Sequence, residues 1–231
     1  MAKWFEKRAE HLTEKMEDPH CNKNRLFNTY EQFSRLNGLI ARWETLFKAY
    51  IIPLNRQPRP LRILDIGCGG GDLCFKFASW ANESGLTVQI TGIDPEPRAA
   101  EYRKQLEIPS NVEFRLSTTH DLIEASESYD VVVSNHLLHH LNRDELLQIC
   151  EQADRLAKRL VLFNDIRRSG YGFAAFGMSA PLLFRSSYIV RDGLTSIRRS
   201  YRFGELKRIA PDGWEVKKLL PFRLLLIREK D

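Results

Sequence analysis

From Lys3 to Tyr50 apolar residues recur every three or four positions with charged residues between them, as in Leu36, Leu39, Ile40, Trp43, Leu46 and Phe47. That spacing predicts amphipathic helices, with Trp43 and Phe47 on the core side. Asp18-Pro19 divides the helical run, and Pro53, Pro58 and Pro60 end it, because proline lacks an amide donor and restricts the residue before it. A helical cap over 1–52 and a linker over 53–60 follow. Beyond residue 60 the pattern changes to short β-rich apolar runs, each followed by a loop and a helical period: Leu61–Ile66, Val88–Ile93, 112–116, 130–133 and 159–163. Strands alternating with helices predict a parallel α/β sheet. Two further strands, 214–219 and 222–228, are joined by a link too short for a crossover helix and predict an antiparallel hairpin at one sheet edge. Residues 167–203 keep no single period, which marks a lid insertion within a domain running from 61 to 231.

Composition narrows the classes. A chain of 231 residues with 43% hydrophobic and 28% charged residues is globular rather than disordered or fibrous. Its four cysteines form no CxxC pair and have no partner at zinc-site spacing, so they read as reduced thiols. The amino terminus runs straight into charged residues without the apolar stretch of a signal peptide, making a cytoplasmic location the default. The longest apolar stretch, 172–184, is well short of the about 18 residues that cross a bilayer, so no membrane span is expected. The net charge of +5 is modest for this length, and the series Arg185, Arg191, Arg198, Arg199 and Arg202, interleaved with Tyr188 and Tyr201, reads as a solvated face. A nucleic-acid partner is therefore not expected. The insertion also carries Tyr171, Phe173, Phe176, Met178, Leu182, Leu183 and Phe184, candidates for the wall of a pocket for an apolar or aromatic small molecule. Asp192-Gly193 reads as a turn.

The chemistry concentrates where the first strand ends. Asp65-Ile66-Gly67-Cys68-Gly69-Gly70-Gly71-Asp72 is a strand end running into a glycine-rich turn that opens a helix near Leu73. Glycines admit positive φ and close ligand approach, and the helix start offers free amides. Asp72 stands where the dinucleotide fingerprint requires its third glycine, which weakens a NAD reading and leaves a dehydrogenase as a lesser alternative, and no Gly-Lys-Ser/Thr follows, which excludes a P-loop. The next strand ends in Gly92-Ile93-Asp94-Pro95, which sets a carboxylate able to accept both ribose hydroxyls of an adenosine.

Over about residues 61–165 these motifs resemble the class I S-adenosylmethionine-dependent methyltransferases. Asp65 to Asp72 and Gly92 to Pro95 are similar to that family's first two motifs, and Tyr129 to Leu141 is similar to its fourth-strand motif in small-molecule methylases of the ubiquinone and menaquinone type. The resemblance implies a Rossmann-like seven-stranded sheet whose last strand is antiparallel, with S-adenosylmethionine as cofactor. It places Asp65, Gly67, Cys68 and Gly69 around the methionine part, Asp94 on the ribose, Pro95 beside the adenine, and Asn135 beside the cofactor. Thr118 stands where many members carry an acid near the adenine amino group, with Asp121 as the alternative. Glu14 to Pro19, Arg35-Leu36-Asn37 and Arg191 to Arg199 are similar to methylases that accompany type III polyketide synthases, which implies such a pathway as partner.

Methyl transfer needs a base only when the acceptor arrives protonated. His136, His139 and His140 follow the fourth strand at i, i+3, i+4 spacing, which on a helix puts them on one face. His139 is the first candidate base and His136 the second, while His140, beside Leu141, is expected to pack against the sheet. No acidic residue stands near them in sequence, so no metal centre is expected. The expected function is O-methylation of a small apolar hydroxylated molecule; the alternatives are an RNA or protein methyltransferase and a cofactor-binding module without catalysis.

Overall fold

The computed structural model of the chain describes residues 5–55 and 59–230, the side chain of Leu39 excepted. Residues 56–58 of the expected linker and the first four residues lie outside these ranges. Seven strands form one sheet: β1 (Leu61–Ile66), β2 (Val88–Ile93), β3 (Val112–Arg115), β4 (Tyr129–Asn135), β5 (Ala157–Ile166), β6 (Glu215–Leu219) and β7 (Arg223–Glu229). Their order is β3-β2-β1-β4-β5-β7-β6. The first five are parallel, and β7 runs antiparallel to both β5 and β6. The hairpin read from the short link at Leu220-Pro221 thus forms, with its second strand inserted beside β5.

The helices are α1 (Lys23–Ile40), α2 (Trp43–Leu46), α3 (Asp72–Glu83), α4 (Pro97–Arg103), α5 (Thr119–Glu124), α6 (Arg143–Leu156), α7 (Gly170–Leu183), α8 (Ile189–Arg199) and α9 (Phe203–Ile209). α2 runs on through a π-helical turn at Phe47–Ile51 and a 3-10 turn at Ile52–Leu54. Alternation along the central strands divides the core into two layers. Val131, Val133, Leu160, Leu162, Leu225 and Ile227 pack with α2 and α3, while Val132, Val161, Phe163, Leu224 and Leu226 pack with α6 and α9. The cap joins the first layer through Phe77, whose ring centroid lies 5.6 Å from that of Trp43 and 5.1 Å from that of Phe47. Among the described residues no helix is long and apolar enough to cross a membrane.

Two local expectations are corrected. The stretch before Asp18-Pro19 forms no amphipathic helix; it is irregular apart from the 3-10 turn Lys15–Glu17. Its backbone is held from outside, by Arg168 Nε on the Phe5 carbonyl and by Arg98 on the carbonyls of Met16 and Asp18. Asp192-Gly193 is not a turn but lies within α8. Gly193 is there because a Cβ would stand 2.5 Å from the Phe176 ring of α7, and the Asp192 carboxylate accepts from the amides of Lys15 and Met16 at 2.7 and 3.0 Å.

Truncating Phe77 to alanine removes the ring between cap and sheet layer, and unfolding in urea is expected to show a loss of about 3–5 kcal/mol, as for other buried aromatic truncations.

Candidate active site

The carboxyl ends of the parallel strands meet a glycine turn, a set of buried acids and a histidine cluster. After β1 the chain turns through Gly67, Gly69 and Gly71, all at positive φ. At Gly71 (φ 86°) a Cβ would also stand 2.5 Å from the Phe114 ring, so this position demands glycine twice over. The turn is tied to β2 by the amides of Gly67 and Cys68 on the Ile93 carbonyl. Asp94, just past β2, accepts from the Gly69 amide at 2.8 Å through Oδ2 and from the Glu96 amide at 2.9 Å through Oδ1. Burial raises its pKa and these two amides pull it back. Asp65, at the end of β1, is buried with only the Cys74 thiol at 3.4 Å as partner, and burial pushes it up to about 8.

Asp65, Gly67, Cys68, Gly69, Asp94, Pro95 and Asn135 all line one cavity of about 750 Å³. Thr118 does not. It caps α5, its hydroxyl and amide both engaged with the Asp121 carboxylate, so Asp121 is committed to the same cap and the structure places neither on the cavity wall.

The three histidines share no helical face. His136 sits at φ 63° directly after β4, and Leu138–His140 is a single 3-10 turn, so the rings diverge. His139 is the buried one, at 2% exposure. Its Nδ1 lies 2.7 Å from Asp165 Oδ1, its amide donates to Asp165 Oδ2, and its Nε2 lies 3.2 Å from Glu14 Oε1. Ser196 of α8 donates its hydroxyl to the same Glu14 oxygen. Burial alone would lower the pKa of the ring, but the charge and hydrogen bond of Asp165, then of Glu14, outweigh it and raise it to about 9. His140, expected against the sheet, is instead partly exposed and bound through Nδ1 to Glu17 at 2.7 Å, beside Arg199. The Leu138 side chain takes the core position instead.

His136 is the opposite case. Asn37 donates its amide to Asp72 at 3.0 Å, which turns its Oδ1 toward His136 Nε2 at 2.9 Å, so Nε2 carries the hydrogen and Nδ1 is left open. Burial, with Arg223 next to the ring, holds the pKa of His136 well below its ordinary value. Asn37, a sequence candidate, therefore borders the site; Arg35 is exposed and does not line the cavity.

The cavity continues from the cradle into an apolar chamber walled by Phe33, Leu36, Ile40, Phe176, Ile197 and Phe222. Of the insertion aromatics expected there, only Phe176 contributes. Phe173 packs edge-on against Phe5, Phe184 is buried against α1, and Tyr171, Met178, Leu182 and Leu183 face outward because α7 turns only its other side to the chamber. Glu14, Asp165 and Arg223, none of them named as a candidate site residue from the sequence, also stand at the site. An acid ending a strand at Asp165 was a readable signal; Glu14 was marked only as the start of the stretch Glu14 to Pro19. Glu14, Glu17 and Asp165 also supply the acids that the sequence lacked near the histidines, and Glu14-His139-His140 and His136-His139-Asp165 each bring their donor atoms within 4.8 Å of one another. Each nitrogen of His139 already faces a carboxylate, so an imidazolium accounts for the group.

A glycine turn after β1, an acid after β2 and an antiparallel β7 beside β5 give the chain the Rossmann-like fold of the class I S-adenosylmethionine-dependent methyltransferases. Residues 59–167 match a family described as a methyltransferase domain. A ubiquinone biosynthesis O-methyltransferase of Brucella melitensis is 32% identical over 127 residues, 52% of this chain and 49% of that protein. One of Mesorhizobium japonicum is 36% identical over 91 residues, 37% of this chain and 34% of that protein. The chain thus spans about half the length, or less, of these curated relatives. Among solved structures, the plantazolicin methyltransferase BamL, in complex with a triazolic desmethylPZN analog and S-adenosylhomocysteine, superposes with a TM-score of 0.64 at 17% identity, over 91% of this chain and 92% of that one. Human N-acetylserotonin methyltransferase gives 0.62 at 12%, over 90% of this chain and 56% of that one. At these identities the likeness is one of fold. The cradle fits the cofactor of the class: Asp94 keeps acceptor capacity on both oxygens for a diol, and Asp65 is a buried acid without a charged partner that an ammonium would satisfy.

Asp94→Ala is expected to weaken S-adenosylhomocysteine binding by about 30-fold or more in calorimetry, the loss of hydrogen bonds to a charged acceptor. Because the pKa of His139 is raised, its stabilisation is complete below its unfolded value near 6.5 and is lost as pH climbs through about 9. Wild-type stability should therefore exceed that of His139→Asn by about 3 kcal/mol more at pH 6 than at pH 10, read from urea unfolding at each pH.

Proposed function

We propose that this chain transfers the methyl group of S-adenosylmethionine to an oxygen of a small, largely apolar hydroxylated acceptor of phenolic, quinol or polyketide-like type. The observation that carries this reading is the Asp165–His139 pair at the junction of the cofactor cradle and the apolar chamber. The bound cofactor supplies a methyl carbon already activated by its sulfonium, so much of the rate can come from alignment in a dry chamber. Asp165 fixes the Nδ1 hydrogen of His139, so that in the neutral ring the Nε2 lone pair, beside Glu14, is the one that meets the acceptor hydroxyl. A ring titrating near 9 is well matched to a phenol near 10. The neutral ring would take the hydroxyl proton at Nε2 as the acceptor oxygen displaces the thioether of S-adenosylhomocysteine from the methyl carbon, and Asp165 would stabilise the imidazolium that results. His136 stays uncharged and offers Nδ1 as an acceptor that orients the substrate.

The relatives named as O-methyltransferases support an oxygen acceptor. So does Ser134-Asn135-His136-Leu137 at the end of β4, in place of the Asn/Asp-Pro-Pro-Tyr/Phe that serves exocyclic amines. The arginine series expected as a solvated face is only partly so, because Arg199, Tyr188 and Tyr201 are buried, and it offers RNA no continuous basic strip. A polyketide-like acceptor is the one a synthase pathway would provide.

Methyl-labelled S-adenosylmethionine incubated with cell extract is expected to label the organic-soluble fraction; label in RNA or protein instead would overturn the acceptor class. His139→Asn should lower kcat by about 10²–10⁴-fold with S-adenosylhomocysteine affinity retained, and wild-type kcat/KM should rise with pH and level off above about 9, where His139 is neutral.

A further inference from the structure

Arg223 opens β7 and is 1% exposed. Its Nε donates to Asn164 Oδ1 at 2.8 Å, and its Nη2 to Asn135 Oδ1 at 2.6 Å and to the Asn164 carbonyl. These bonds fix the guanidinium plane and leave Nη1, which meets only the His136 ring, 3.3 Å from Nε2 and 3.5 Å from Nδ1. Nε2 is occupied by its own hydrogen to Asn37, and Nδ1 stands at the limit of hydrogen-bond reach. Arg167, at the end of β5, lines the same wall, with its guanidinium 5.8 Å from the Phe222 ring centroid. Among the described residues neither arginine forms an ion pair.

The acids around His139 and along α8 are engaged elsewhere. Both oxygens of Asp165 accept from His139, and Oδ1 also from the Ile166 amide. Glu14 holds His139 and Ser196, Glu17 holds Arg199 and His140, and Asp192 holds two amides. Arg223 feels the charge of Asp165 but no carboxylate hydrogen-bonds its guanidinium, an incomplete arrangement for a buried cation, since buried charges are ordinarily paired.

Building on the O-methylation reading, we propose that the acceptor carries a carboxylate, bound by Nη1 of Arg223 with Arg167 on the same wall, so that the hydroxyl to be methylated is presented to His139. The substrate class is a hydroxyaryl carboxylic acid with an apolar substituent. The only other carboxylate at hand is that of the cofactor's methionine part, and the two sources differ in what loss of Arg223 does.

The test uses protein saturated with S-adenosylhomocysteine and a matched pair of probes, 2,4-dihydroxy-6-pentylbenzoate and its neutral counterpart 5-pentylresorcinol, in calorimetry. The acid is expected to bind about tenfold or more tighter to wild type, a preference that Arg223→Gln reduces to about twofold or less. Arg167→Gln, at a partly exposed position, should reduce it by about threefold. The wild-type comparison needs no variant. Equal affinity for the two probes, or no binding of the acid at about 10 mM, overturns the proposal. So does a tenfold or greater loss of S-adenosylhomocysteine affinity in a folded Arg223→Gln protein, which would assign the guanidinium to the cofactor. Methylation of 5-pentylresorcinol without preference for the acid would overturn the carboxylate and leave oxygen methylation standing; label confined to RNA or protein would overturn both.

Discussion

A buried imidazolium between two carboxylates is the interaction around which the site is arranged. Asp165 ends β5, His139 follows β4, Glu14 belongs to the amino-terminal segment, and Ser196 on α8 completes the chain of hydrogen bonds. Four segments distant in sequence are therefore joined in one network. In a low-dielectric interior each member needs the others, because an isolated buried charge costs far more than a paired one. That mutual need sets where the irregular amino-terminal segment runs.

The same segment closes the chamber, although it forms almost no hydrogen-bond ladder of its own. Asp192 holds the amides of Lys15 and Met16, Arg98 holds carbonyls on the other side, and Arg168 reaches Phe5. Side chains from α8, α4 and the end of β5 thus do for this backbone what a helix would do internally. The chamber wall consequently depends on tertiary contacts, while the cofactor cradle is built from a contiguous strand, turn and helix.

The difference between cradle and chamber explains how much was legible. Each strand stands within two residues of its expected position at nearly every end, because the central strands are buried on both faces and so read as short, nearly continuous apolar runs. The glycine turn and Asp94 were equally readable, since backbone geometry at a strand end permits few residue types. The histidines were misread in arrangement. Spacing alone suggested a helix, yet the positive φ of His136 and the 3-10 turn after it send the three rings to Asn37, Asp165 and Glu17, respectively.

What the sequence by itself determined is therefore the local part: the order of strands and helices, the turn after β1, the acid after β2 and the closing hairpin. Each depends on neighbours a few residues apart, where period and residue type carry the information. Only the tertiary structure decided that His139 rather than His140 is buried, that Thr118 caps a helix away from the cavity, and that Phe176 alone of the insertion aromatics enters it. It also brought Glu14, 125 positions before His139, and Arg223, 87 positions after His136, into the site. Burial and ionisation are set by what packs against a group, and those partners come from parts of the chain that no local pattern connects.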